Sequence, residues 1–409
     1  MIRSKWFRVG ATVAALVPVV ALDTPAKAAF PGITGRVACA SFRDGDSEIW
    51  TFDPTGTEKS PVQLTHNTVN DSRPRYSPDG RLIAFESTRD GPLEIYIMNA
   101  DGTGVRRLTT TGVAGVHGNS SPAWSPGGDR IAYQTTRNAG AFFDVHVINV
   151  DGTGDVRITS NEAEESLPAW SPKGDKIAYN SRRIDDAANV HIMNPDGTGD
   201  VSLPAPGNLP GVEDSWPSWS PDASMIAFHS RRDDPGGEEI YRMNADGTNV
   251  VKLTNNGPNL FDIFPAWSPD GTRILWNSQR QGATNFGEIF SMSAVDGSNI
   301  IRITNNVAVD QRCDWQPLCT IYGSGQIMGT PGNDIICGSP GTDYIYGGGG
   351  NDRILGLGGD DQLNGAAGDD EIFGGIGNDK IFGDVGTDRA DGGIGAGDQC
   401  IGEILQNCP

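Results

Sequence analysis

Helical periodicity is nearly absent from this sequence of 409 residues: past the amino-terminal end, no stretch returns its apolar residues every three to four positions. That argues against helical bundles and α/β layers and leaves an all-β chain. Basic residues are scarce, 31 Lys and Arg against 52 Asp and Glu, and the formal charge of −21 disfavours nucleic acid and anionic membrane as partners. The one long apolar run, residues 9–22, is shorter than the roughly twenty residues a membrane-spanning helix needs, so no span is expected. There is no G-x-S-x-G elbow and no H-E-x-x-H pair, so no catalytic residue is assigned. The histidines are too dispersed for a metal cluster. His146 and His191 occupy a strand slot that Tyr96, Tyr241 and Phe290 fill elsewhere, and read as packing residues. His229 falls on a strand and His66 in a loop; only His117 sits on a longer loop able to face a ligand.

Glycine, by contrast, reaches 55 residues, and much of it is periodic. Across residues 329–391 an aspartate returns every ninth position: Asp334, Asp343, Asp352, Asp361, Asp370, Asp379 and Asp388. Gly329, Gly338, Gly347, Gly356, Gly365, Gly374 and Gly383 stand five residues ahead of each. Ile336, Ile345, Ile354, Leu363, Ile372 and Ile381 follow two residues behind, until Ala390 breaks the run. The fullest copies are Gly347-Gly348-Gly349-Gly350-Asn351-Asp352 and Gly374-Gly375-Ile376-Gly377-Asn378-Asp379. Glycines free the backbone to turn carbonyl oxygens toward a common point, and Ca²⁺ takes six to eight oxygens from carboxylates and carbonyls. A flexible Gly/Asp linker would not keep a nine-residue register with an apolar residue at a fixed offset. The candidate metal set is these seven aspartates, the seven glycines ahead of them, Gly348 and Gly375, and Gly332, Gly341, Gly350, Gly359, Gly368 and Gly377.

This segment resembles the RTX (haemolysin-type) calcium-binding repeat, G-G-x-G-x-D-x-U-x with U a large aliphatic residue. The resemblance implies a parallel β-roll over residues 323–399 that binds several Ca²⁺ ions, two nonapeptides to a coil. Asp334, Asp352, Asp370 and Asp388 would then line one edge and Asp343, Asp361 and Asp379 the other, with the isoleucines inside. Gly365-Ala366-Ala367-Gly368 and Gly383-Asp384-Val385-Gly386 lack the second glycine, and weaker sites are expected there. Residues 323–409 carry 12 Asp and two Glu against Arg353, Lys380 and Arg389, a net −11, so the segment is expected to be disordered without metal.

Arg3, Lys5 and Arg8 precede the apolar run, and Ala26-Lys27-Ala28 follows it. That layout predicts a secretory signal peptide over residues 1–28, cleaved after Ala28, and an extracellular destination by the general secretory route. No cysteine follows the run, which points away from a lipid anchor.

Residues 33–317 hold a longer repeat. Its aromatic anchor recurs at Tyr76, Trp124, Trp170, Trp219, Trp267 and Trp315, with spacings of 46 to 49 residues. Ser-Pro and usually a glycine turn follow, then an alternating strand such as Ile83-Ala84-Phe85-Glu86-Ser87, then Glu94-Ile95-Tyr96-Ile97-Met98 and the turn Asp101-Gly102. Four short strands in such a period mark a propeller blade. The motifs P-x-W-S-P-D-G, I-A-F-x-S-x-R and E-I-Y-x-M-N-x-D-G-T look like the TolB-type six-bladed propeller repeat. Second strands beginning near Val37, Ile83, Ile131, Ile177, Ile226 and Ile274 set the count at six. The first blade lacks an upstream anchor and the last anchor, Trp315, lacks following strands, so the carboxy-terminal strand is expected to complete the amino-terminal blade. Asp101-Gly102-Thr103 and its counterparts at 151, 196 and 246 read as hairpin turns. Arg43, Arg89, Arg137, Arg183, Arg232 and Arg280, one per blade, are expected to tie adjacent blades together.

Six cysteines suit an oxidising compartment. If Asp79-Gly80 is a two-residue turn, Pro74 lies opposite Phe85; Cys313 and Cys39 occupy those two positions, predicting a Cys39–Cys313 disulfide that locks the ring. Cys319, Cys337, Cys400 and Cys408 remain. Their pairing is open, with proximity favouring Cys319–Cys337 and Cys400–Cys408, the latter closing a cap over residues 400–409. The functional expectation is a secreted, monomeric calcium-binding protein whose propeller serves as scaffold for an envelope or extracellular protein or a glycan. The alternative is a secreted propeller lyase or hydrolase with a calcium-stabilised tail.

Overall fold

The computed structural model describes residues 33–409 except 58, 113–117, 138–141, 160–162, 183–187, 204–211, 234–235, 258–259, 281–286, 340 and 409. The expected signal peptide, His117 and Arg183 therefore lie outside the described residues. Six four-stranded antiparallel sheets form a ring of blades. Blade two shows the pattern: Asp71–Tyr76 innermost, then Leu82–Ser87, Glu94–Asn99 and Arg106–Arg107. The second and third strands are buried on both faces because each blade is covered by a neighbour on either side. Thus Ile95 and Ile97 of blade two pack with Trp124, Ile131 and Tyr133 of blade three. Three of the anchor tryptophans fasten blades directly. Trp124 Nε1 donates to the carbonyl of Arg75 at 3.0 Å, and Trp219 and Trp315 do the same to Ala169 and Ala266, each at 3.1 Å.

The ring closes as its motifs suggest. The strand Asp310–Leu318, at the far end of the array, is the innermost strand of blade one and pairs with Ile33–Ser41. Cys39 and Cys313 are bonded across this seam, 4.2 Å apart at Cα. The hairpin register holds only locally. Arg75 and Tyr76 pair with Ala84 and Ile83 as a two-residue turn requires, but a bulge then shifts Asp71 and Ser72 by one residue. The same bulge recurs beside Cys313.

Arg43, Arg89, Arg232 and Arg280 act within their own blades, which corrects the expectation that they tie neighbours. Arg89 reaches Asp71 at 2.7 Å, Arg232 reaches Asp214 and Arg280 reaches Asp262, both at 2.6 Å, and in each case the carboxylate opens the same blade's innermost strand. At two junctions an asparagine from the preceding loop meets that same carboxylate: Asn67 Nδ2 donates to Asp71 Oδ2 at 2.7 Å and Asn306 Nδ2 to Asp310 Oδ2 at 2.6 Å.

Beyond residue 320 the chain winds into a parallel β-solenoid with one six-stranded and one five-stranded sheet. Between the end coils each strand pairs with the one eighteen residues on, as Ile336 with Ile354 and Ile354 with Ile372; at the ends the step is fifteen or nineteen, as Ile321 with Ile336 and Lys380 with Gln399. Ile336, Ile345, Ile354, Leu363, Ile372, Ile381 and Ala390 fill the interior. The two sheets differ outside. Cys337, Leu355 and Phe373, on the outer face of the six-stranded sheet, are at most 1 % exposed, whereas Tyr346 at the matching offset of the other sheet is 42 % exposed. The first sheet lies against the Ser-Pro turns of blades two to four. Arg353 donates to the carbonyl of Pro172 at 3.2 Å and stacks over Phe373 at 4.6 Å, and Arg81 donates to the carbonyl of Gly338 at 3.2 Å. Cys319–Cys337 staples the start of this sheet, and Cys400–Cys408 ties the last strand of the five-stranded sheet to the end of the chain's last coil.

Candidate metal centre

The nine-residue unit has a steric origin. A Cβ added to Gly347 or Gly356 would lie 2.5 Å from Oδ2 of Asp352 or Asp361, so the first glycine leaves room for its own repeat's carboxylate. The other oxygen of each aspartate is spoken for. Asp334 N donates to Asp352 Oδ1 at 2.8 Å, Asp352 N to Asp370 Oδ1 at 2.7 Å and Asp370 N to Asp388 Oδ1 at 3.0 Å. On the opposite edge Asp343 N donates to Asp361 Oδ1 at 2.7 Å and Asp361 N to Asp379 Oδ1 at 2.9 Å. Aspartates eighteen residues apart thus form two ladders, and Oδ2 is left facing the glycine turn.

Those Oδ2 atoms fall into two classes. At Asp334 and Asp343 the slot after the first glycine is Thr330 or Ser339, whose amide donates to Oδ2 at 2.6 Å and whose hydroxyl donates at 2.8 or 2.9 Å. At Asp361, Asp370, Asp379 and Asp388 the Oδ2 atom is buried with no hydrogen-bond partner. Burial is the main force on these carboxyls. It lifts Asp361 to about 8 against the downward pull of the Asp343 amide, with the charges of Asp379 and Asp343 adding to the rise. Asp370 and Asp379 rise to about 6 for the same leading reason, and Asp388 rises too. A buried oxyanion without a donor calls for a cation. Hard carboxylate oxygens beside glycine turns rich in carbonyls form a donor set suited to Ca²⁺.

Two members of the ladders escape the ninefold count. Asp379 N donates to Asp398 Oδ1 at 2.8 Å, nineteen residues on, and Asp388 N to Glu403 Oε2 at 2.8 Å, fifteen on. Asp398 Oδ2 is likewise buried without a partner. The signal was there: Gly392-Gly393-Ile394-Gly395 keeps the glycine period, and one inserted residue delays only the aspartate. The second-glycine slot also needs restating. Ala366 and Asp384 hold positive φ of 76° and 70°, and Leu357 in the same slot holds 77°; with Thr330 and Ser339, five copies lack the second glycine rather than two.

Among the described residues, the solenoid included, the one trio of carboxylates whose oxygens lie within 4.8 Å of one another is Asp44, Asp46 and Glu48. Asp44 is met by Gln63, and Glu48 by Thr65 and Asn67. His146 and His191 pack on Tyr133 and Tyr179 at ring distances of 5.7 and 5.6 Å. Thr103 N donates to Asp101 Oδ1 at 2.9 Å, closing a hairpin turn.

The TolB beta propeller domain family matches residues 24–119 and 204–321, and the RTX calcium-binding nonapeptide repeat matches four overlapping segments between residues 321 and 397. Among curated relatives, an uncharacterized protein of Agrobacterium fabrum is 40 % identical over 68 residues, 16 % of this chain and 22 % of that protein. The Tol-Pal system protein TolB of Anaeromyxobacter dehalogenans is 31 % identical over 75 residues, 18 % of this chain and 17 % of that one. The chain therefore spans less than a quarter of the length of either relative. TolB from Acinetobacter baumannii superposes with a TM-score of 0.57 at 18 % identity, over 69 % of this chain and 67 % of that structure. A putative TolB from Agrobacterium tumefaciens gives 0.50 at 20 % identity, over 70 % and 100 %. These likenesses show the fold.

Proposed function

We propose, for a chain that belongs to the TolB β-propeller family and binds calcium through RTX repeats, that the cation is the folding switch of an exported scaffold protein. Several Ca²⁺ ions are held by Oδ2 of Asp361, Asp370, Asp379, Asp388 and Asp398 together with carbonyls of the glycine turns. Bound there, calcium supplies the positive charge the turns lack. The observation that carries this reading is the set of buried Oδ2 atoms with no donor. At the low free calcium of a cytoplasm the tail stays extended; sites of the roughly 10⁻⁴–10⁻³ M range of extracellular modules fill outside and fold it. The signal-peptide layout of residues 1–28 supports export. The propeller, rigid and closed by a disulfide, then offers its loops and channel to a protein or glycan partner.

Calcium titration calorimetry on the mature chain, paired with hydrogen exchange in calcium and in chelator, tests the proposal. Uptake of several ions is expected, with amides of residues 344–394 protected only when calcium is present. Equal protection in chelator, or no uptake of heat, would overturn it.

A further inference from the structure

Six residues of the innermost strands, one per blade, hold a left-handed backbone: Arg73 at φ 50°, Ser121 at 54°, Leu167 at 54°, Trp216 at 61°, Phe264 at 60° and Arg312 at 55°. Such φ values are costly for non-glycine residues and persist where the surroundings enforce them. Here a polar side chain of the preceding blade accepts the amide. Leu167 N donates to Gln134 Oε1 at 2.8 Å, Trp216 N to Asn180 Oδ1 at 3.0 Å, and Arg312 N to Asn277 Oδ1 at 3.1 Å. Phe264 N donates to His229 Nδ1 at 3.3 Å, and burial holds that imidazole neutral by lowering its pKa to about 4. With Ser121 N donating to Glu86 Oε2 at 3.2 Å, five of the six bulges are held from the preceding blade.

What the bulges present is uneven. Arg312 and Arg73 come from adjacent blades one and two, and Trp216 from blade five reaches both. The Trp216 ring centroid lies 5.3 Å from Arg73 Cζ, 5.9 Å from Arg312 Cζ and 4.3 Å from the Phe264 ring. Arg73, Arg75, Ser121, Trp216 and Asp314 are among the residues bordering a cavity of about 100 Å³, which Arg312 and Phe264 adjoin through the Trp216 ring.

The arginines are under-compensated. Arg73 Nη1 is shared between Glu86 Oε2 at 3.0 Å and Ser121 Oγ at 2.8 Å. Arg312 has no carboxylate within 4 Å among the described residues; its Nη1 meets Ser72 Oγ at 3.5 Å. The Nε of both is buried without an acceptor. Arg43, Arg89, Arg232 and Arg280 elsewhere in the ring each hold a carboxylate. Burial, then the like charge of Arg73, depresses Arg312 to about 10. Of the three guanidiniums gathered here, Arg73 holds Glu86 and Arg75 is offset by the buried Asp314, which leaves the positive charge of Arg312 over in a chain whose total is −21.

We infer that this end of the channel binds a carboxylate-bearing ligand, with the free guanidinium edges of Arg312 and Arg73 on the carboxylate and the Trp216 and Phe264 rings against the adjoining apolar part. A fork-shaped donor matches a carboxylate in a way a lone ammonium would not. The inference rests on the propeller being a binding scaffold and names the chemistry of what it binds.

The test titrates the full chain, in calcium, with three probes followed by calorimetry and tryptophan fluorescence: Ala-Ala-Phe with a free carboxyl end, the same tripeptide amidated, and glucuronate. A carboxylate site predicts that at least one acid binds and that the amide binds at least about tenfold more weakly than the free tripeptide if that is the ligand. Binding by the tripeptide alone marks a chain terminus as the source; binding by glucuronate alone marks a sugar acid. Arg312→Gln is expected to lose the response and Arg312→Lys to keep only part of it, both with an unchanged thermal melt. Equal binding of acid and amide, or no response to either acid, overturns the site without needing a variant. If a macromolecular partner were still captured by the propeller after that outcome, the scaffold reading would stand and this site would fall.

Discussion

The backbone amide of Asp361 donates to Oδ1 of Asp379 at 2.9 Å, one coil further along the solenoid. One carboxylate oxygen therefore builds the fold while the other is left over, and the leftover oxygen distinguishes the first coils from the later ones.

Asn at position 334 or 379 separates the two classes. Asp379→Asn removes an oxyanion that has no protein donor, and the calcium concentration for half-saturation is expected to rise about tenfold, the equivalent of one lost charged ligand. Asp334→Asn removes an oxygen already held by Thr330 and should shift it by less than about threefold. Calcium titration followed by far-UV circular dichroism measures both.

Protons compete for the same oxygens. The folded-state pKa of Asp361 is raised to about 8, and those of Asp370 and Asp379 to about 6. A raised pKa favours the metal-free fold below the unfolded value near 4, and that contribution is lost as pH climbs through 6 to 8. Calcium must then replace the protons. Half-saturating calcium is expected to fall between pH 5 and pH 8, with protons released on binding, as calorimetry in buffers of different ionisation heat would show.

Removing the ring lock by Cys39→Ala with Cys313→Ala opens a loop of 274 residues. Loss of about 2–5 kcal/mol is expected. Urea unfolding monitored by tryptophan fluorescence would show it as a lower midpoint, while the calcium response of the tail stays unchanged.

Ala366 sits at φ 76° in a slot where Gly348 and Gly375 sit at 106° and 103°. Ala366→Gly is expected to stabilise the calcium-loaded solenoid by about 1 kcal/mol, since the strain it relieves outweighs the added freedom of the unfolded chain. A drop in thermal midpoint would contradict this.

Both repeat architectures are legible in the sequence because each position in a period meets the same surroundings. Gly347 must be glycine for the reason Gly356 must be, and Trp124 bonds its neighbouring blade as Trp219 does. What breaks the period is hidden. Asp398 and Glu403 belong to the ladders, yet one inserted residue and a turn of altered length take them out of count. The docking of the solenoid was equally unreadable: Phe373 and Tyr346 are both aromatic residues one past the interior position, and only the tertiary arrangement buries one and exposes the other. The arginines at 73 and 312 look like ordinary surface residues until the bulges turn them toward one ring.

Blade one borrows its innermost strand from the far end of the array, so Ile33–Ser41 waits for a partner almost three hundred residues downstream. A ribosome releases the amino end first, and that edge stays unzipped while the five other blades emerge. Whatever shields nascent chains from aggregation must guard this seam until the last propeller strand arrives.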